Sequence, residues 1–348
     1  MERWIGVTMH PQAASPEPKP LVAVVGPTAV GKSRIGLLVA KSMGTELLTA
    51  DSRQVYRRMD IGTDKPTLAE RQGVPHRLID LVEPDEPFNV GTYRRLALAE
   101  IDRLHREGQV PVLVGGTGLY VRAVLRGLWD GPSADWTFRA KLMQEAGEKG
   151  GEYLHRELLR VDPDLAARLH PHDHVKIVRG LEVHHLLGRP LSEVHRRHAF
   201  QDASFAPLVL GLTREREVLY QLVEQRVEVE LSKGLIRETE ALLGQGYGRD
   251  VPSMKSLGYR QIAGYLAGDY GYEEAVRRLK RDTRHFAKRQ MTWFRREPSI
   301  RWVAISEGEG AEATAQRLLE LIGDYLARLK TAAGGDGRRH GPSHTVAV

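Results

Sequence analysis

The octapeptide Gly26-Pro27-Thr28-Ala29-Val30-Gly31-Lys32-Ser33 constrains this chain more than any other stretch. It fits the pattern GxxxxGK[ST]: glycines let successive backbone N–H groups turn inward around a phosphate, the lysine adds a point charge, and the hydroxyl can ligate Mg²⁺. The apolar run Leu21 to Val25 precedes it and an amphipathic segment, Lys32 to Met43, follows. That context is strand, loop, helix, which seats a phosphate on a helix N-terminus. All eight residues are expected at a di- or triphosphate, with Mg²⁺ as the cofactor held by Ser33.

Five more short apolar runs alternate with helical patterns: Glu46 to Ala50, His76 to Leu81, Val110 to Val114, Pro207 to Leu212 and Trp302 to Ile305. Strands separated by helices predict a parallel sheet covered on both faces. The expected class is α/β, a P-loop NTPase-like parallel-sheet core with an inserted helical domain. Strand signals stop after Val114 and resume near Pro207, so residues 125–200 read as the insertion, with helical patterns over 135–149, 151–160, 163–169 and 174–187. The core then comprises 20–124 and 201–325, with helices over 91–107, 214–233, 235–245, 256–267 and 272–296. Residues 1–19 and 326–348 lack periodicity and are expected to be disordered tails.

Composition removes several classes. There is no cysteine, which excludes disulfides, iron–sulfur clusters, zinc fingers and a thiol nucleophile. No run of ~18 apolar residues occurs, and the first 20 residues lack the apolar stretch of a signal peptide. The expectation is a soluble cytoplasmic protein. Lys and Arg number 51 against 45 Asp and Glu, a net charge of +6. Between Arg277 and Arg301, ten Lys and Arg meet only Asp282 and Glu297, so this segment alone carries +8. Arg277, Arg281, Arg284, Lys288 and Arg295 fall on one helical face, while Leu279, Phe286 and Trp293 recur every seven residues on another. From charge alone, a solvated face and a polyanion-binding face are equal readings.

The phosphate ligand needs further argument. An ATP-driven motor requires a second strand ending in a carboxylate that holds Mg²⁺ and orients water. Here the strand Val110 to Val114 ends in Gly115-Gly116-Thr117-Gly118, which points to group transfer onto a second substrate. In an open parallel sheet the carboxyl ends of the strands face the ligand, so Asp51 and Thr117 should converge on the loop. Asp51 reads equally as a proton acceptor and as a helix N-cap.

The set GPTAVGKS, DSRQVY with MDIGTDKP (59–66), PHRLID (75–80), VGGTGLY (114–120), LHPHDHVKIVRGLEV (169–183), SLGYRQI (256–262) and AKRQMTWFRR (287–296) resembles the bacterial tRNA dimethylallyltransferases, from about Leu21 to Leu319. The resemblance implies transfer of a dimethylallyl group from dimethylallyl diphosphate to N6 of adenosine 37, in tRNAs reading codons that begin with U. By the same resemblance Asp51 is the base, Thr117 lies between base and donor, and Arg226 grips the diphosphate. Without it, Arg226 reads as an exposed helix arginine. The implied tRNA contacts are Asp51, Ser52, Arg53, Gln54, Thr117, Arg139 and the run Val175, Lys176, Ile177, Val178, Arg179. Lys288 and Arg289 of the basic segment join them. The implied partner is the anticodon stem-loop, bound by a monomer with no membrane attachment.

Some positions depart from that pattern. His172-Asp173-His174-Val175-Lys176 stands where the family usually has Asn-Asp and a basic pair, and Gly180 replaces an alanine. The glycine is expected to loosen its helix by ~1 kcal/mol. Seven of the 14 histidines fall between His170 and His198, but the spacing misses a binuclear metal pattern, so solvent or RNA-backbone contact is the expectation. Two rivals remain: a small-molecule P-loop kinase of the nucleoside or shikimate type, with Asp51 as base for a hydroxyl, and a non-catalytic RNA-binding module.

Overall fold

The computed structural model describes residues 19–129, 131–150, 152–198 and 205–334. The tails expected over 1–19 and 326–348 lie outside this set except at residues 19 and 326–334. The strands among the described residues are β1 (Lys19–Val25), β2 (Leu47–Ala50), β3 (His76–Arg77), β4 (Val112–Gly115), β5 (Phe205–Thr213) and β6 (Ile300–Ala304). The helices are α1 (Lys32–Ser42), α2 (Val90–Arg106), α3 (Gly118–Arg126), α4 (Trp136–Lys149), α5 (Tyr153–Val161), α6 (Pro163–Ala166), α7 (His174–Leu187), α8 (Leu191–His198), α9 (Arg216–Lys233), α10 (Leu235–Gly244), α11 (Tyr259–Leu266), α12 (Tyr272–Phe294) and α13 (Ala311–Gly334). No described helix is long and apolar enough to cross a membrane.

The strands form one parallel sheet in the order β3-β2-β4-β1-β5-β6. Strand β1 lies inside it, Val22 pairing with Val112 on one side and Leu208 on the other. Leu21 to Val25 are fully buried, and burial on both faces is why the run is uninterruptedly apolar. The strand order reverses beside β1, so the carboxyl ends of β1, β4 and β2 open onto one crevice.

The chain divides into two compact units. The first runs to Pro87, takes in Ala99–Gly118 and resumes at Ala203; the second comprises Phe88–Leu98 and Leu119–Asp202. The first is held by Val22, Val24 and Leu212 of the sheet against Ile35 and Val39 of α1 and Leu318 and Ile322 of α13. The second packs Leu142 of α4, Leu154 and Leu158 of α5, and Ile177 and Leu181 of α7. It is wider than the insertion expected over 125–200. Tyr93 stacks on Tyr120 at 4.0 Å, which ties Phe88–Leu98 to this unit.

Several elements differ from expectation. β3 is two residues long because Leu78 and Asp80 take left-handed φ of 66° and 54°, ending the extended run. α13 continues to Gly334, past the point where the C-terminal tail was expected to begin, because its apolar face completes the first core. The Leu21 N–H donates to the Tyr325 hydroxyl at 3.2 Å, which in turn bonds the Ala206 carbonyl. α12 buries Ala275, Leu279, Thr283, Ala287, Gln290 and Phe294, a seam of three- and four-residue steps that leaves Phe286 and Trp293 on its flank. Gly180 lies in a close contact: a Cβ there would lie 2.8 Å from both Leu158 Cδ1 and Leu165 Cδ2, so the two leucine ends would have to shift to admit one.

Candidate functional site: a phosphate cradle at the strand ends

The phosphate loop turns from β1 into α1. Gly31 is the N-cap of α1 with φ 104°, a conformation that side chains with a Cβ resist. Lys32 donates from Nζ to the Pro27 carbonyl at 2.6 Å, across the loop. Its burial and the neighbouring Arg226 charge pull its pKa down to about 8. Ser33 is exposed in the first turn of α1.

A buried amide fixes the loop to the adjoining strand end. The Thr28 N–H donates to Gln290 Oε1 at 2.8 Å, and Gln290 Nε2 donates to the Gly116 carbonyl at 2.9 Å. A Cβ on Gly116 would fall 2.4 Å from Gln290 Nε2, and one on Gly118 would fall 2.2 Å from the Trp293 ring. The glycines of GGTG therefore make room for two side chains of α12.

Asp51 and Thr117 follow β2 and β4 and meet where these strands end. The Thr117 N–H donates to the Ala50 carbonyl at 3.1 Å, and its Oγ1 accepts from the Ser52 N–H at 3.0 Å. Asp51 Oδ1 accepts from the Arg53 N–H at 2.7 Å and the Gln54 N–H at 3.4 Å, the geometry of a capping residue. Among the described residues its second oxygen takes no hydrogen bond, so capping leaves half the carboxylate available. Arg53 is exposed, whereas Gln54 is buried with its Nε2 on the Thr63 and Asp64 carbonyls. Its side chain braces the loop after β2 through Nε2.

Arg226, on α9, reaches the phosphate loop and is no free helix arginine. Its Nη1 donates to Thr28 Oγ1 at 2.8 Å and pairs with Asp64 at 3.3 Å, and its Nε donates to Glu230 Oε1 at 2.7 Å. Burial works against the Arg226 charge, but Glu230 and Asp64 outweigh it and hold the guanidinium protonated. Burial pushes the Glu230 carboxyl up. Gln290, Asp64 and Glu230 were not singled out from the sequence. A glutamine on the apolar seam of a basic helix was the available signal for the first, and the four-residue spacing from Arg226 along α9 for Glu230; Asp64 pairs with Arg226 only through the fold.

In the second unit, Arg139 clamps buried Glu182 with Nε and Nη2, both at 2.8 Å, and Arg179 Nη1 adds a contact at 2.6 Å. Val175 is 84% exposed and Lys176 pairs with Asp173. Ile177 and Val178 are buried in this unit's core, because one helical stretch cannot present five consecutive side chains to a partner. Their side chains are unavailable to RNA. The His170 and His172 rings lie 5.2 Å apart, and no group of three or more metal-binding side chains occurs among the described residues.

On α12 the charge is unevenly neutralised. Arg277 and Arg278 pair with Glu274, Lys280 with Glu228, Arg281 with Asp282, and Arg284 with Glu224. Lys288, Arg289 and Arg296 have no ion pair among the described residues and line, with His285, Thr292 and Trp293, an open cleft of ≈ 450 Å³.

Sheet and loop define a P-loop α/β protein. The sequence profile described as IPP transferase matches residues 54–297. A tRNA dimethylallyltransferase 2 of Geotalea uraniireducens is 50% identical over 287 residues, covering 82% of this chain and 93% of the relative. A tRNA dimethylallyltransferase of Pelotomaculum thermopropionicum is 47% identical over 301 residues, covering 86% and 95%. The crystal structure of a full-length tRNA isopentenylpyrophosphate transferase from Bacillus halodurans superposes with a TM-score of 0.68 at 38% identity, covering 91% of this chain and 99% of that one. The chain belongs to the IPP transferase family. These relatives lend no support to the kinase reading.

Proposed function

We propose that the protein transfers a dimethylallyl group from dimethylallyl diphosphate to N6 of adenosine 37 in the tRNA anticodon loop. The observation that carries this reading is what surrounds the phosphate loop: Arg226 rests on Thr28, while β4 ends in glycines and Thr117 without a carboxylate to aim water. The allylic C–O bond breaks and its electron pair leaves on diphosphate, while the allylic carbon bonds to N6. Loop N–H groups, Lys32 and Arg226 stabilise the charge that develops on the leaving group. The adenine amine is a weak nucleophile because its lone pair is delocalised. Asp51 accepts its proton through the oxygen left open by capping, and Thr117, fixed on Ser52, orients the reactants.

Mg²⁺ fits this donor set, since Ser33 offers a hard oxygen and Mg²⁺ prefers phosphates and water over an all-protein cage. When bound it supplies charge neutralisation of the diphosphate. The target base must leave its stack to enter a crevice, which costs least in a single-stranded loop. Lys288 and Arg289, which have no ion pair among the described residues, are suited to backbone phosphates, and Arg139, Lys176 and Arg179 would add contacts only in exchange for their pairs with Glu182 and Asp173. The protein acts as a monomer in the cytoplasm, where its tRNA substrates are. The test is nucleoside analysis of unmodified tRNA incubated with the protein, Mg²⁺ and the prenyl donor. Dimethylallyladenosine should appear only in tRNAs with adenine at position 37; prenylation elsewhere or none contradicts the reading.

A further inference from the structure

Arg226 is held by two carboxylates of different character. Glu230 lies one turn along the same helix, is 6% exposed and takes Nε at 2.7 Å. Asp64 comes from the loop after β2, keeps its side chain 49% exposed and faces Nη1 at 3.3 Å, the nitrogen that also meets Thr28. The first pairing is buried; the second is open to solvent on the Asp64 side. The Asp64 carboxylate also acts electrostatically on Lys32, in the direction that favours its charged form. The loop that carries it is rigidly placed. The Glu238 carboxylate accepts the N–H groups of Asp60, Ile61 and Gly62, and Lys65 Nζ pairs with Asp60 and Asp80 at 2.6 Å.

We propose that Asp64 is an internal competitor for the diphosphate: it neutralises Arg226 when the cradle is empty, yields it to the incoming anion, and reclaims it as diphosphate departs. Asp64 is thus a positioning residue acting through Arg226, and it sets the affinity for donor and product. The inference rests on the diphosphate reading of the cradle. A carboxylate fixed this close to an anion site opposes binding, so removing its charge tightens binding. A role confined to orienting Arg226 predicts the opposite sign.

Asp64 sits at φ 53°, which asparagine adopts as readily as aspartate, so Asp64→Asn removes the charge and leaves the turn intact. Calorimetric titration of Mg²⁺ and inorganic diphosphate into the full-length protein should show about fivefold tighter binding by Asp64→Asn. The KM for dimethylallyl diphosphate should fall in parallel, and the gain should shrink with added salt. Equal or weaker diphosphate binding by Asp64→Asn, with prenyl transfer by the wild type intact, overturns the role of Asp64 alone. A wild-type protein that binds no diphosphate overturns both this inference and the reading beneath it.

Discussion

The phosphate loop and helix α12 both gather positive charge for a polyanion, but they are built in opposite ways. The loop draws on backbone N–H groups and one lysine, and a buried glutamine fixes it to the neighbouring strand. α12 relies on long exposed side chains, and half of the ten cations counted in its segment are paired with carboxylates of α9 and of α12 itself. Glu224 and Glu228, which neutralise Arg284 and Lys280, lie on α9, far from them in sequence. A backbone-built site survives folding as written, whereas a net charge does not. What remains is a shorter basic patch around Lys288 and Arg289 of α12 and Arg296 just beyond its end.

The contrast can be broken first at the catalytic end. Asp51→Asn should lower single-turnover transfer by at least ~10² with tRNA affinity nearly unchanged. Near-normal turnover would return Asp51 to a capping role. Next comes the bridge: Gln290→Ala strands the Thr28 N–H and the Gly116 carbonyl, at ~1–3 kcal/mol of stability in chemical denaturation. The donor KM should rise with it; an unaffected KM would mean that the loop holds its shape without the amide.

On α12, replacing Lys288 and Arg289 with glutamine should weaken tRNA binding and flatten its salt dependence by about two charges' worth. The same change at Arg277 and Arg281, already paired, should do distinctly less. Equal effects would erase the distinction between free and neutralised cations. The smallest effect concerns pH. Lys32, with its pKa pulled down to about 8, is charged at neutral pH and loses its proton as pH rises through that value. The donor KM should therefore climb a few-fold above pH 8, and a flat profile to pH 9.5 would show that bound diphosphate restores the lysine pKa fully.

The sheet was legible because buried parallel strands must be apolar throughout, and the loop because its geometry admits few residue types. β3 was overestimated since nothing in Leu78-Ile79-Asp80 announces left-handed φ at alternate residues. α13 was missed because its stripe becomes meaningful only once α1 and the sheet are there to receive it. Arg226 could be assigned by resemblance alone; its tie to Thr28 spans 198 residues, which no local pattern reveals. The close packing at Gly180 was hidden for a related reason: propensity describes an isolated helix, whereas its neighbours there are Leu158 of α5 and Leu165 of α6.

The central claim is that the phosphate loop holds a leaving diphosphate and no nucleotide. The direct measurement offers the protein labelled dimethylallyl diphosphate and labelled ATP together with an anticodon stem-loop bearing adenine at position 37. The account predicts one diphosphate released per prenylated adenine while ATP stays intact; consumption of ATP with the prenyl donor untouched would contradict it.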